Sequence, residues 1–161
     1  MKKIFLSLFL MSMTLLMAQQ KLPSVSIKTL DKEVIDAAKL SNDGKPMVIS
    51  FWATWCKPCQ RELDAINDVY EDWVDETGVK VYAISIDDSR NVSRVAPLVN
   101  GKAWEFDVLL DTNSDLKRAL GVGTIPHTFL IDGEGNIISQ HTGYSDGDEE
   151  ELYEHIEELV K

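Results

Sequence analysis

The sequence predicts an α/β domain: a central mixed β-sheet with helices on both faces. Three observations carry this. The runs Met47-Val48-Ile49-Ser50-Phe51-Trp52 and Val79 to Ile86 are almost continuously apolar, as parallel strands covered on both faces are. Stretches with apolar residues at three- and four-residue spacing alternate with such runs, giving the order β, helix, β, α, β, α, β-hairpin, α. Finally, Asp132-Gly133-Glu134-Gly135-Asn136 is a strong turn between two short strands, so the sheet includes an antiparallel pair.

From the start of the chain, Met1-Lys2-Lys3 precedes an apolar run from Ile4 to Ala18 and then Gln19-Gln20-Lys21. Two lysines, an apolar stretch shorter than the roughly 20 residues of a spanning helix, and a small final residue read as an export signal over residues 1–18. Leu16 is a poor fit to the small-x-small cleavage preference, so an uncleaved anchor stays open. Neither cysteine lies near this segment, which argues against lipid attachment. Residues 22–161 amount to one domain, without an internal repeat or low-complexity linker. The net charge is -11, and without Lys2 and Lys3 it is -13, 14 basic against 27 acidic residues. So acidic a chain repels nucleic acid and anionic membrane surfaces, which leaves proteins and small thiols as partners.

Val25 to Leu30 alternates and reads as a first strand, with Asp31-Lys32-Glu33 as a turn. Ile35 to Leu40 is read as a helical turn, ended by the turn formers Ser41 to Pro46. The strand at 47–52 is followed by a helix whose apolar stripe is Leu63, Ile66, Val69, Tyr70, Trp73 and Val74, running to about Glu76 and stopped by Gly78. After the strand at 79–86, Pro97 predicts a short or kinked helix starting near Asn91. Phe106 to Leu110 is a strand, and Ser114 to Leu120 a helix closed by Gly121. The apolar strand ending at Ile131 begins after Pro126, and Ile137 to His141 completes the hairpin. Asp148 to Lys161 is an acidic helix with Leu152, Ile156, Leu159 and Val160 toward the core.

The only two cysteines, Cys56 and Cys59, sit three apart where the helix after the central strand begins. Unpaired N–H groups and the helix dipole stabilise an anion at that place, so Cys56 is the easier thiol to ionise. Lys57 adds a positive charge, and Pro58 is tolerated in a first turn, where an N–H has no partner. Cys59, one turn along, can attack a mixed disulfide on Cys56 and release the product. The pair is then a two-electron switch needing no other cofactor. Two other readings stand beside this one. A zinc site needs two more Cys or His ligands; no third cysteine exists, and His127, His141 and His155 lack ligand spacing. A purely structural bridge closing so short a loop would remove little chain entropy.

Phe51-Trp52-Ala53-Thr54-Trp55-Cys56-Lys57-Pro58-Cys59 resembles the active site of thioredoxin-fold proteins, and Phe-Trp-Ala-Thr-Trp-Cys is similar to the TlpA/ResA-like extracytoplasmic branch. The resemblance covers residues 22–161 and implies a thioredoxin-like fold with that branch's extra strand and helix between about Ser85 and Leu120. It implies a periplasmic or extracytoplasmic thiol–disulfide oxidoreductase, monomeric, that reduces protein disulfides, has protein disulfides or dithiols as partners, with an apocytochrome of cytochrome c maturation as one candidate, and is recharged by a membrane thiol–disulfide donor. Pro126 would be cis and face the cysteines, with the backbone of Thr124 and Ile125 pairing to an extended partner and Trp55 flanking the groove. Glu62, one turn past Cys59, matches a glutamate thought to assist proton transfer; the plain alternative is a surface helix glutamate. Ser50 stands where thioredoxin itself has a buried Asp. His127 follows the proline where Thr is common, and is either a tuner of the thiols or a satisfied half-buried histidine. A thiol peroxidase of the same fold and a non-catalytic binding module are the alternatives.

Overall fold

The computed structural model describes residues 20–161; the 1–18 segment, on which the export expectation rests, lies outside them. Seven strands form one sheet: β1 (Ser26–Thr29), β2 (Val34–Asp36), β3 (Met47–Trp52), β4 (Lys80–Ser85), β5 (Asp107–Leu110), β6 (His127–Ile131) and β7 (Ile137–Thr142). Their spatial order is β2-β1-β5-β4-β3-β6-β7. The pairs β3/β4 and β4/β5 are parallel, and the rest antiparallel. The sheet is therefore mixed, as the sequence predicts.

Four helices flank it: α1 (Lys57–Thr77), α2 (Val95–Lys102), α3 (Asp115–Ala119) and α4 (Asp148–Glu158). Every residue of β3 is buried, and its two-residue period divides the core. Val48 and Trp52 join Leu63, Ile66 and Trp73 of α1, Val95 and Val99 of α2, and Ile156 of α4 on one face. Met47, Ile49 and Phe51 join Leu116 of α3, Phe129 and Ile27 on the other. Ser50, between Val48 and Trp52 in that alternation, is thereby aimed at α1. Trp73 of α1 stacks on Tyr153 of α4 at 5.4 Å between ring centroids, tying the two helices together.

α1 ends where Gly78 takes a left-handed φ of 68°, its N–H donating to the Val74 carbonyl. Pro97 lies in the first turn of an eight-residue α2, where the N–H it lacks would have had no helical partner. The stretch from Ser85 to Leu120 contains α2 and β5, and β5 is inserted between β1 and β4.

Three expectations are corrected. The helical turn expected at Ile35 to Leu40 is instead the short edge strand β2 followed by a 3₁₀ turn at Ala37–Lys39. Three residues are too few to show a period, and β2 exists because β1 offers it a ladder from Ser26 to Lys28. Val74 and Val160 are exposed rather than in the core. Val74 is on the outer side of α1, whose last turn buries Trp73 and Thr77 instead, and Val160 lies past the end of α4.

Candidate active site

β3 delivers the chain into the Ala53–Cys56 loop, and α1 starts immediately after it. Cys56 is the N-cap residue, with extended backbone, and its sulfur accepts the Cys59 N–H at 3.3 Å. Lys57 and Pro58 fill the first two helical positions and are exposed. The cysteines are joined as a disulfide, with S–S 2.05 Å and Cα–Cα 5.3 Å. Cys56 keeps 6% of its surface accessible and Cys59 none. A partner thiol or disulfide can thus reach Cys56 first, while Cys59 is reached only from within the protein.

The loop before Cys56 is held from two directions. Asp87, 1% exposed, accepts the Thr54 N–H at 2.8 Å, the Thr54 hydroxyl at 2.6 Å and the Ser85 hydroxyl at 2.9 Å. From α1, the Gln60 side-chain amide donates to the Thr54 carbonyl at 2.7 Å. Charge-assisted bonds of this length fix the loop geometry that places Cys56 on the helix end. Trp55, next to it, projects with 60% of its surface exposed. Trp52 is fully buried, edge-on to Trp104 at 4.9 Å.

Glu62 is not the surface glutamate of the plain reading: only 4% of it is exposed. Ser50 of β3 and Thr128 of β6 are directly paired across the antiparallel ladder and point to the same face of the sheet. Their hydroxyls donate to the two carboxylate oxygens of Glu62, Ser50 at 2.9 Å and Thr128 at 2.7 Å. Burial pushes the Glu62 carboxyl above its ordinary value, and the two hydroxyl bonds only partly offset this.

The Ile125–Pro126 peptide is cis, and the Pro126 carbonyl accepts the Gly143 N–H at 2.9 Å. Because Phe51 pairs with His127, the start of β6 lies beside the end of β3, which brings Pro126 to the cysteine end of the sheet. Thr124 is exposed and Ile125 half-buried. His127 is buried, with Nε2 3.0 Å from the Gln140 side-chain oxygen and Nδ1 3.1 Å from the Thr142 hydroxyl. Both ring nitrogens are engaged toward β7, so His127 is the satisfied buried histidine of the two readings.

Sequence reasoning missed Asp87, Gln60 and Thr128. Asp87 sits in an Asp-Asp pair just past a strand, which reads as solvent-facing. For Thr128 a partial signal existed: Ser50 is the one polar residue in an apolar run, and a buried hydroxyl needs a partner, which here is the Glu62 carboxylate it shares with Thr128.

A buried disulfide capping a helix, a cis-proline beside it and a mixed sheet define the class of thioredoxin-fold thiol–disulfide oxidoreductases. Residues 18–140 match the AhpC/TSA family. The chain belongs to that family, and to its ResA-like thiol–disulfide oxidoreductases. It is 32% identical over 121 residues to thiol-disulfide oxidoreductase ResA of Bacillus thuringiensis (strain Al Hakam), covering 75% of this chain and 67% of the relative. An uncharacterized thioredoxin-like protein from Porphyromonas gingivalis is 53% identical, with a TM-score of 0.78 over 86% of this chain and 91% of that one. A putative thiol:disulfide interchange protein DsbE from Chlorobium tepidum is 25% identical, with a TM-score of 0.77 over 89% of this chain and 97% of that one.

Proposed function

We propose that the protein works outside the cytoplasm as a monomeric reductant of protein disulfides. The observation that carries the exchange chemistry is the unequal access to the two cysteines, Cys56 with 6% of its surface accessible and Cys59 with none. In the reduced state the Cys56 thiolate attacks a partner disulfide, forming a mixed disulfide and expelling one partner thiolate. Glu62 then takes the Cys59 proton, and the Cys59 thiolate attacks the Cys56 sulfur. The Cys56–Cys59 bond forms and the second partner thiolate leaves, so two electrons pass to the partner. The exposed Trp55, Lys57 and Pro58, with Thr124, Ile125 and Pro126, form the docking rim. Pairing of an extended partner segment to the backbone at Thr124 and Ile125 gives affinity with little sequence selectivity, which suits a protein cysteine pair such as that of an apocytochrome.

The apolar Ile4 to Ala18 run supports export, and the reducing direction rests on the likeness to ResA. In an oxidising compartment such a protein needs a membrane thiol–disulfide donor to recharge it. Equilibration of Cys56–Cys59 against thiol buffers, read by Trp fluorescence, tests the direction. A potential near or below about -270 mV supports a reductant, whereas one near about -120 mV would make the protein a disulfide donor. Cys59→Ser should accumulate partner mixed disulfides on Cys56. Peroxide consumption that persists in that variant would point to a peroxidase instead.

A further inference from the structure

On the side of Glu62 away from β3, a cavity of about 110 Å³ opens between β7 and α4. Glu62 and Thr128 line its buried end together with Ile66 and Leu130. None of Trp55, Lys57, Pro58, Thr124, Ile125 or Pro126 lines it. It has room for water, and Glu62, Thr128, Gln140 and His141 offer the polar partners that a purely apolar void would lack. At the mouth His141, on the exposed edge strand β7, lies 3.2 Å from Asp148 at the start of α4.

Once the disulfide has formed, a carboxyl holding the Cys59 proton regains its charge by giving that proton to solvent. A docked protein covers the rim around Cys56 at the moment of transfer, so that side is closed to water. We propose that this cavity is the route by which Glu62 exchanges its proton with solvent, with His141, held by Asp148, as the relaying group at its mouth. The inference rests on the proton role of Glu62 proposed above. In the cycle, the Cys59 S–H proton goes to Glu62 as the Cys56–Cys59 bond forms; Glu62 then loses it to water in the cavity, and His141 passes it out.

The charged and titratable groups around Glu62 divide by element. β3 and β6 offer only the hydroxyls of Ser50 and Thr128, β7 offers His141, and α1 itself carries Cys59. Tyr144, before α4, and Asp148, Glu149, Glu151 and His155 of α4 complete the lining. Tyr144 is held by Glu149, to which its hydroxyl donates at 2.8 Å. His141 charge lowers the proton affinity of Glu62 and Asp148 charge raises it, so the two mouth groups act on Glu62 in opposite senses.

The test uses the full chain carrying a peptide mixed disulfide on Cys56. Release of the peptide is followed across pH, and protonation of Glu62 by the infrared carboxyl band that Glu62→Gln removes. His141→Ala should slow the decay of the Glu62 carboxyl band after release on the order of tenfold, with imidazole restoring it, since loss of a positioned proton-transfer group costs that much or more. It should also move the Glu62 midpoint up, while Asp148→Asn moves it down; a loss of packing alone would not give opposite shifts. If in His141→Ala the band decays at the wild-type rate, or decays slowly with no imidazole rescue and an unmoved midpoint, the proton route is wrong. In either case a slow Glu62→Gln leaves the role of Glu62 standing. If Glu62→Gln is as fast as wild type at every pH, the role of Glu62 falls, and the route falls with it.

Discussion

Two buried carboxylates flank the cysteine end of β3, and they are solvated in different ways. On the β4 side, Asp87 receives a backbone N–H and two hydroxyls at 2.6 to 2.9 Å. On the β6 side, Glu62 receives two hydroxyls and no N–H. An N–H can only donate, so it favours the charged carboxylate, whereas a hydroxyl can turn to accept from a protonated one. The difference is in what each set of bonds fixes: Asp87 holds the loop in one geometry, whereas the hydroxyl cradle of Glu62 is compatible with either protonation state.

The sharpest way to break this comparison is to remove the clamp. Asp87→Ala strands the Thr54 N–H and the Thr54 and Ser85 hydroxyls in a buried site, and should cost about 3 kcal/mol in denaturant unfolding. Asp87→Asn, which keeps the shape, should cost less, about 1 to 2 kcal/mol. Equal stability of both variants with the wild type would mean that the loop holds itself.

Glu62 should answer differently, through pH. Its carboxyl is raised above the ordinary 4.5, so between those two values the folded protein binds more protons than the unfolded one. Stability from this group is complete below about 4.5 and falls as pH rises through the folded value. Glu62→Gln should therefore gain on the wild type as pH rises from 4 to 8. The exposed carboxyls of Asp36 and Asp88, held low chiefly by hydrogen bonds from Ser24 and Arg90, have the opposite sign, losing stability as pH falls. They are common to both proteins and cancel in the difference. A pH-independent difference between the two curves would contradict the protonatable reading.

The smallest effect tests the hydroxyl cradle itself. Thr128→Val keeps the shape of β6 but removes the 2.7 Å bond to Glu62, and should cost about 1 kcal/mol. It should also push the Glu62 carboxyl further up, visible as an upward shift of its infrared midpoint. A midpoint that stays in place would show that burial alone sets the proton affinity.

Much of this molecule is local and therefore readable. Cys56 and Cys59 at a helix start, the covered strand before them, the Gly78 stop and the Asp132–Asn136 turn each depend on a few neighbouring residues. Period, capping and turn chemistry act over that range. The two carboxylates are different in kind. Glu62 stands at helical spacing between Cys59 and Ile66 on the buried face of α1, unlike the exposed Glu71 and Asp72, but what solvates it there is not local: Ser50 and Thr128 meet across the ladder to receive it. Asp87 reaches Thr54 across 33 positions, and Thr128 reaches Glu62 across 66. β2 likewise exists only because β1 offers it an edge. The sequence by itself determined the strand–cysteine–helix unit and the α/β architecture, because those follow from spacing along the chain. Which acid holds the loop and which sits in a cradle of hydroxyls was decided by tertiary structure, because the donors that solvate a buried carboxylate come from strands distant in sequence.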